Sequence, residues 1–334
     1  MVYQGITFRG SSSGAIFKST FSRDSLATDD VVIKITHSGL CGTDLHHIHE
    51  DRVLGHEGIG IVQDLGPMCR QLSIGDRVGW GFTYAGCGFC SACLSGDEAL
   101  CVKCANYGTG EFDQGSLGSL AIKKERWLFR IPDGITSELA CPLMCAGVSV
   151  FTPLIEYVKP SDRVGIVGIG GLGHLAIQFA SKMGCDVVAF SGSPSKREET
   201  LALGAREFYA VKDVEDYTTL GLKKPLDALM ICTPERLDLG QYYPLLEQRA
   251  HVISVTIGEG NITAPLSPTA ARNIKIIGWV PVSRKEYVKC LDFCERNKIF
   301  PIIERFPMSE KGIMEAIGKL SAGKIRYRAV FSWI

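Results

Sequence analysis

The chain has no excess of charge of either sign: 36 Lys and Arg residues balance 36 Asp and Glu. No global field therefore draws it toward nucleic acid or an anionic membrane. Long apolar runs are also missing, with nothing near the roughly 20 residues that a bilayer span needs. The start, MVYQGITFRGSSSG, lacks the cationic stretch and apolar core of a signal peptide. A cytoplasmic protein with neither a membrane nor a nucleic-acid partner is the expectation. Repeats and low-complexity tracts are absent too, which excludes solenoids and collagen-like or disordered chains.

What remains is a 334-residue chain, 46% hydrophobic and 22% charged. That is the composition of an ordinary folded protein, at a length that favours two domains over one core. Thirteen cysteines in a chain of this length without a secretion signal read as thiols and metal ligands, not as a disulfide framework.

The first part looks mostly β. VVIKIT from Val31 alternates and is β-branched, and GIGIVQDLG from Gly58 and GDRVGWG from Gly75 are short strands between glycine turns. At Asp162 the pattern changes to DRVGIVGIGGLGHLAIQFASKMG, a buried strand, a glycine turn and an amphipathic helix, followed by a second strand, DVVAF, from Asp186. Apolar runs at Leu226, His251 and Ile274 extend this βαβ unit into a parallel sheet. RKEYVKCLDFCERNK and YRAVFSWI then return to another layer. The fold class is α/β: a β-rich domain beside a doubly wound parallel sheet.

Three motifs carry chemistry. Gly168, Gly170 and Gly173 form GxGxxG between strand and helix, with Gly171 and Leu172 inside the turn. That context suits a dinucleotide whose pyrophosphate meets bare backbone and a helix N-terminus. An NAD site normally closes the second strand with an acid; here DVVAF runs into SGSPSKRE. Ser191, Ser193 and Ser195 offer hydroxyls, Lys196 and Arg197 offer charge, and Asp186 lies too early, so NADP(H) is favoured over NAD(H). Ser-Pro-Ser-Lys also serves as an ordinary helix start, a role compatible with phosphate binding.

Cys87, Cys90, Cys93 and Cys101 follow CxxCxxCx7C, a spacing that closes a structural zinc site of four thiolates. An iron–sulfur cubane is the competitor, weakened by the last spacing and by the absence of a proline after the fourth cysteine. Cys104 is a spare thiol or a substitute ligand. Finally, CGTDLHHIHEDRVLGHE supplies Cys41 and His56, a soft thiolate and an imidazole. A third donor, for which Cys145 is the candidate, would complete a catalytic zinc site with an open position.

CGTD, GHE, the four-cysteine lobe, CAG and GxGxxG, in that order, resemble the zinc-containing medium-chain alcohol dehydrogenases. GIGGLGHLAIQFA and SGSPSKREE resemble the cinnamyl alcohol dehydrogenase branch. The resemblance implies a GroES-like catalytic domain over residues 1–147 with its zinc lobe at 87–104, a Rossmann NADP-binding domain over 148–281, and a return to the catalytic domain over 282–334. It implies two zinc ions per chain, one held by Cys41, His56 and Cys145 and one by the four cysteines. Glu57 is then an alternate ligand, Asp44 orients the histidine, and Thr43 and His46 form a proton relay. A homodimer joined through the Rossmann sheets follows from the same resemblance.

The implied activity is hydride transfer between NADP(H) and a primary, allylic or aromatic, alcohol or aldehyde. One rival reading is an NADPH-dependent reductase of an activated C=C or iminium bond on the same fold; another is a non-catalytic zinc-ribbon module. His47 and His49 match no family role and read as exposed loop residues. Two stretches depart from the family. The segment between Cys41 and His56 is shorter and lacks the Tyr-Pro text before GHE, which predicts a more open or refolded rim. GWVPVSRKE from Gly278 is expected to reshape the nicotinamide and substrate side through Trp279 and Pro281.

Overall fold

The computed structural model describes residues 2–258, 260–279 and 282–333; Pro281, and with it the expectation placed there, lies outside them. The chain divides into two compact units, one comprising Met1–Val148 with Pro281–Ile334, the other Ser149–Val280.

The first unit is built on a seven-stranded sheet. Along it run Ile303–Pro307, Arg328–Ser332, Asp30–Leu40, Gly58–Leu65, Arg77–Trp80 and Phe129–Arg130, while Leu120–Lys124 also pairs with Asp30–Leu40. The long strand Asp30–Leu40 has two partners along one edge: its first half meets Leu120–Lys124 and its second half meets the C-terminal strand. The pairing of Ala329 with Leu40 brings Arg328 beside the start of the CGTD stretch. Val31, Ile33, Ile35, Val62, Val78 and Trp80 form one core. Each fully buried aliphatic side chain there contributes roughly 1.5–3 kcal/mol. A second core joins Phe8, Leu40 and Leu54 to Phe306, Ile313 and Phe331, so the C-terminal return is packed into this unit.

The segment after Cys41 is folded down on the chain that leaves the N-terminal strand Tyr3–Arg9. Gly10 N–H donates to Arg52 O at 3.0 Å and Ser11 N–H to Ile48 O at 3.0 Å. A Cβ at Gly10 would come within 2.5 Å of Ile48 O, so this close approach requires glycine.

In the second unit six strands are all parallel, in the order Glu207–Ala210, Asp186–Ser191, Arg163–Val167, Leu226–Ile231, Leu246–Ser254, Lys275–Gly278. This is the Rossmann order 3-2-1-4-5-6, and its switch point lies beside the strand that feeds the glycine turn. Central strands buried on both faces have no polar alternation to keep, which is why RVGIV and LDALMI read as apolar runs. Helix Gly173–Lys182 buries Leu175, Ala176, Ile177 and Phe179. Trp279 follows the last strand and sets its ring edge against Tyr157, with centroids 5.7 Å apart. No single helix among the described residues is long and apolar enough to cross a membrane.

Candidate functional site: two cysteine clusters and a glycine turn

Cys87, Cys90, Cys93 and Cys101 bring four sulfurs within 4.8 Å of one another. The Cys87 and Cys93 sulfurs are 3.9 Å apart, about twice a disulfide bond. Backbone donors surround them. Phe89 and Cys90 N–H point at Cys87 Sγ, each at 3.4 Å, Gly88 N–H at Cys93 Sγ (3.3 Å), and Cys87 and Lys103 N–H at Cys101 Sγ (3.4 and 3.3 Å). Those N–H groups favour thiolate and lower Cys87 to about 6. Desolvation, with the neighbouring thiols, lifts Cys93 to about 12. Cys104 stands outside it, its thiol donating to Asn106 Oδ1 at 3.2 Å.

The second cluster gathers Cys41, His56, Glu57 and Cys145, whose donor atoms also lie within 4.8 Å of one another. Cys41 closes the long strand and opens the short helix Gly42–Leu45. Cys145 precedes helix Ala146–Tyr157, and its sulfur is 3.8 Å from that of Cys41. Behind them Asp44 is fully buried. It accepts from Cys41 N–H at 2.8 Å and Gly55 N–H at 3.2 Å, and its Oδ1 is 3.3 Å from His56 Nδ1. The outer nitrogen, His56 Nε2, is buried and has no hydrogen-bond partner among the described residues, as is Glu57 Oε2.

Electrostatics tie this cluster together. A hydrogen bond from the Cys145 thiol, with His56 and Arg328 nearby, holds Cys41 well below the ordinary thiol value. Donating that bond pushes Cys145 well up. Burial works against charge on His56, yet the Asp44 carboxylate and Cys41 raise its pKa well above the usual imidazole value. Burial lifts Glu57 to about 7 against the pull of Arg328, whose guanidinium bonds Glu57 Oε1. Thr43 Oγ1 is 3.6 Å from Cys41 Sγ, and His46 is exposed at the end of the short helix. His49 is exposed as expected, but His47 is half-buried, edge-on to Tyr107 and 3.1 Å from Glu50 Oε1. The loop after Cys41 folds inward and takes His47 with it.

In the other unit the three glycines have three different constraints. Gly168 has φ +88°, a Cβ at Gly170 would meet nothing within 4 Å among the described residues, and one at Gly173 would come within 2.0 Å of Gly168 O. These are a tight turn, bare backbone open to a pyrophosphate, and a close crossing of helix and strand. His174 Nδ1 caps the turn on Gly170 O at 2.9 Å. Gly171 and Leu172 are half-buried ahead of the helix. After the second strand, Ser191 Oγ accepts from Ser193 N–H at 3.2 Å, Ser193 Oγ accepts from Ser195 N–H at 3.3 Å, and Lys196 Nζ donates to Ile169 O at 2.6 Å. Arg197 reaches away, to Phe208 O at 3.1 Å.

Residues 27–133 match the alcohol dehydrogenase GroES-like domain and residues 171–296 the zinc-binding dehydrogenase domain. A probable formaldehyde dehydrogenase, AdhA, of Bacillus subtilis is 33% identical over 94% of this chain and 93% of its own. The NADP-dependent alcohol dehydrogenase C 1 of Mycolicibacterium smegmatis is 31% identical over 96% and 95%. This chain belongs to the zinc-type medium-chain alcohol dehydrogenases. Among solved structures, the Sorghum bicolor cinnamyl alcohol dehydrogenase SbCAD4 superposes with a TM-score of 0.91 at 27% identity, covering 99% of this chain and 98% of that one. The cinnamyl alcohol dehydrogenase of Helicobacter pylori, solved with NADP(H), gives 0.88 at 26%, covering 99% of each.

The donors of this dehydrogenase fit zinc. Metal–sulfur bonds of about 2.3 Å in a tetrahedron place two sulfurs about 3.8 Å apart, the separation of Cys41 and Cys145. An imidazole nitrogen buried without a partner would cost about 1–3 kcal/mol, and a metal would satisfy His56 Nε2. Two contributors escaped the sequence reading. Arg328 was visible only as a lone charge in the apolar text YRAVFSW; Tyr107, packed on His56 with centroids 4.8 Å apart, gave no signal at all.

Proposed function

We propose that this dehydrogenase is a zinc-dependent, NADP(H)-linked enzyme acting on a primary, allylic or aromatic, alcohol and aldehyde pair, chiefly as an aldehyde reductase. The observation that carries the reading is the Cys41, His56 and Cys145 triangle, with His56 Nε2 left bare and Asp44 fixing the ring from behind. These three are the ligands of a catalytic zinc, Glu57 is an alternate ligand, and Cys87, Cys90, Cys93 and Cys101 hold a structural zinc, two ions per chain. When bound, zinc polarises a carbonyl oxygen and the reduced nicotinamide supplies a hydride. Thr43 delivers the proton that completes the alcohol, and exposed His46 exchanges it with solvent. Asp44 accepts from His56 Nδ1, fixing the tautomer that leaves Nε2 as a donor atom.

NADP(H) is supported by the run from Phe190 to Arg197, which holds hydroxyls and cations and no carboxylate, and by the NADP named for two of the similar proteins. The aldehyde class is supported by a relative named aldehyde reductase from Synechocystis, 31% identical over 96% of the chain. A homodimer in the cytoplasm completes the reading.

The test is NADPH oxidation over aromatic, allylic and aliphatic aldehydes, with metal measured on the same sample. Two zincs per chain, preference for NADPH over NADH, and loss of turnover in Cys41→Ser and His56→Ala are expected. Turnover confined to activated C=C bonds, with one zinc, would replace the reading.

A further inference from the structure

We propose that Tyr107 is a positioning residue that fixes the His56 and Asp44 pair and so sets how tightly the Cys41 cluster holds its metal. The inference rests on the assignment of that cluster as a zinc site. One side chain reaches three parts of the histidine's support. Its hydroxyl accepts the N–H of Gly55 at 3.1 Å, the residue immediately before His56, where φ is +93°. That N–H also donates to Asp44 Oδ1 at 3.2 Å, so hydroxyl and carboxylate meet at one donor. Its ring lies on the imidazole, with centroids 4.8 Å apart and planes at 32°.

Tyr107 is itself firmly held. It is 7% exposed, and its N–H donates to Phe82 O at 2.7 Å. Phe82 also packs on His56 edge-on, at 5.6 Å and 84°, and lies 6.2 Å from Tyr107, so the two rings meet the imidazole on adjoining sides. Both aromatics adjoin the short ladder of Thr83–Ala85 with Ala105–Asn106, which Thr83 Oγ1 and Asn106 Oδ1 pin at 2.8 Å. His56 is therefore packed against two rings that flank one ladder, and the Tyr107 hydroxyl shares the Gly55 N–H with the Asp44 carboxylate that orients the imidazole. An imidazole whose plane and tautomer are fixed before the metal arrives loses less freedom on binding. Groups that orient a ligand in this way are worth about 10–100-fold in metal affinity.

The test uses full-length, zinc-loaded protein and the metallochromic chelator 4-(2-pyridylazo)resorcinol. The zinc missing from His56→Ala identifies the release phase of this centre, and the remaining phase belongs to the four-cysteine lobe. Tyr107→Phe, which keeps the ring and removes the hydroxyl, is expected to release the first zinc at about tenfold lower chelator concentration. Tyr107→Leu, which removes both contacts, is expected to exceed that effect, and the lobe zinc should be unchanged in either. Tyr107→Phe indistinguishable from the parent overturns the inference, as does equal loosening of both zincs with a fall in Tm, the mark of general unfolding. A parent protein in which His56→Ala removes no zinc removes the underlying assignment instead, and the inference with it.

Discussion

The four-cysteine lobe and the Cys41 cluster both rely on thiolates and set them in opposite surroundings. In the lobe, five backbone N–H contacts point at sulfur, and the side chains around the cysteines turn outward, with Phe89 87%, Leu94 76% and Val102 90% exposed. Those three apolar side chains add little burial to the loop, so its shape leans on what the sulfurs share. In the Cys41 cluster the support is made of side chains, a buried carboxylate, two aromatic rings and an arginine, and the protein core lies directly behind. On the proposed two-zinc reading, one site uses metal to hold a fold and the other uses a fold to hold metal. Each is also tied to the C-terminal return by an arginine on a glutamate, Arg284 on Glu98 and Arg328 on Glu57.

That contrast is broken most directly by removing one sulfur from each site. Cys90→Ser is expected to cost the lobe its zinc and its structure together, since structural zinc supplies on the order of 10 kcal/mol to domains with no core of their own. Limited proteolysis should then cut within residues 87–104. Cys41→Ser should leave proteolysis and the lobe zinc unchanged while lowering turnover a thousandfold or more, about 4 kcal/mol in the barrier. Cleavage of the lobe in Cys41→Ser, or an intact metal-free lobe in Cys90→Ser, would reverse the division of labour drawn here.

The same contrast explains what could be read without coordinates. The lobe is local: its four donors sit within 15 residues, so spacing alone revealed it, and the glycine turn was legible for the same reason. The parallel sheet could be read because strands buried on both faces, such as Arg163–Val167, leave uninterrupted apolar runs. The Cys41 cluster is assembled from afar. Spacing offered Cys41 and His56, Cys145 stood as a distant candidate to which the family resemblance gave its role, and Arg328 and Tyr107 arrive by sheet register and by the packing of a two-residue ladder. No window of sequence contains that information. The hairpin Tyr3–Arg9 with Phe17–Arg23 escaped as well, because its residues alternate weakly, and so did the four-residue strand Glu207–Ala210.

The arginines sharpen the comparison. Arg328 and Glu57 are both buried, at 6% and 0% exposure, so Arg328→Met leaves a carboxylate in the interior without its counter-charge. Breaking a buried pair from one side costs about 3–5 kcal/mol. Denaturant unfolding should show that loss as a lower midpoint at unchanged slope. A loss under about 1 kcal/mol would mean that the pair is solvated and that the Cys41 cluster is less enclosed than its packing indicates.

Arg284 should matter less, because solvent reaches it: its side chain is 34% exposed, against 4% for Glu98. The guanidinium donates to Glu98 Oε1 from Nε at 2.7 Å, and burial of the carboxyl, which opposes ionisation, is outweighed by that bond and charge, so the Glu98 pKa is lowered. A carboxyl whose folded value is depressed contributes stability that is present above its unfolded value, near 4.5, and lost as pH falls through the folded value. Arg284→Met is therefore expected to lower stability by about 1 kcal/mol at neutral pH, with a gap from the parent that closes as pH falls through the variant's Glu98 value, which burial without the arginine raises. No gap at neutral pH would mean that Arg284 does not outweigh burial and that the lobe is tied to the C-terminal return by packing alone.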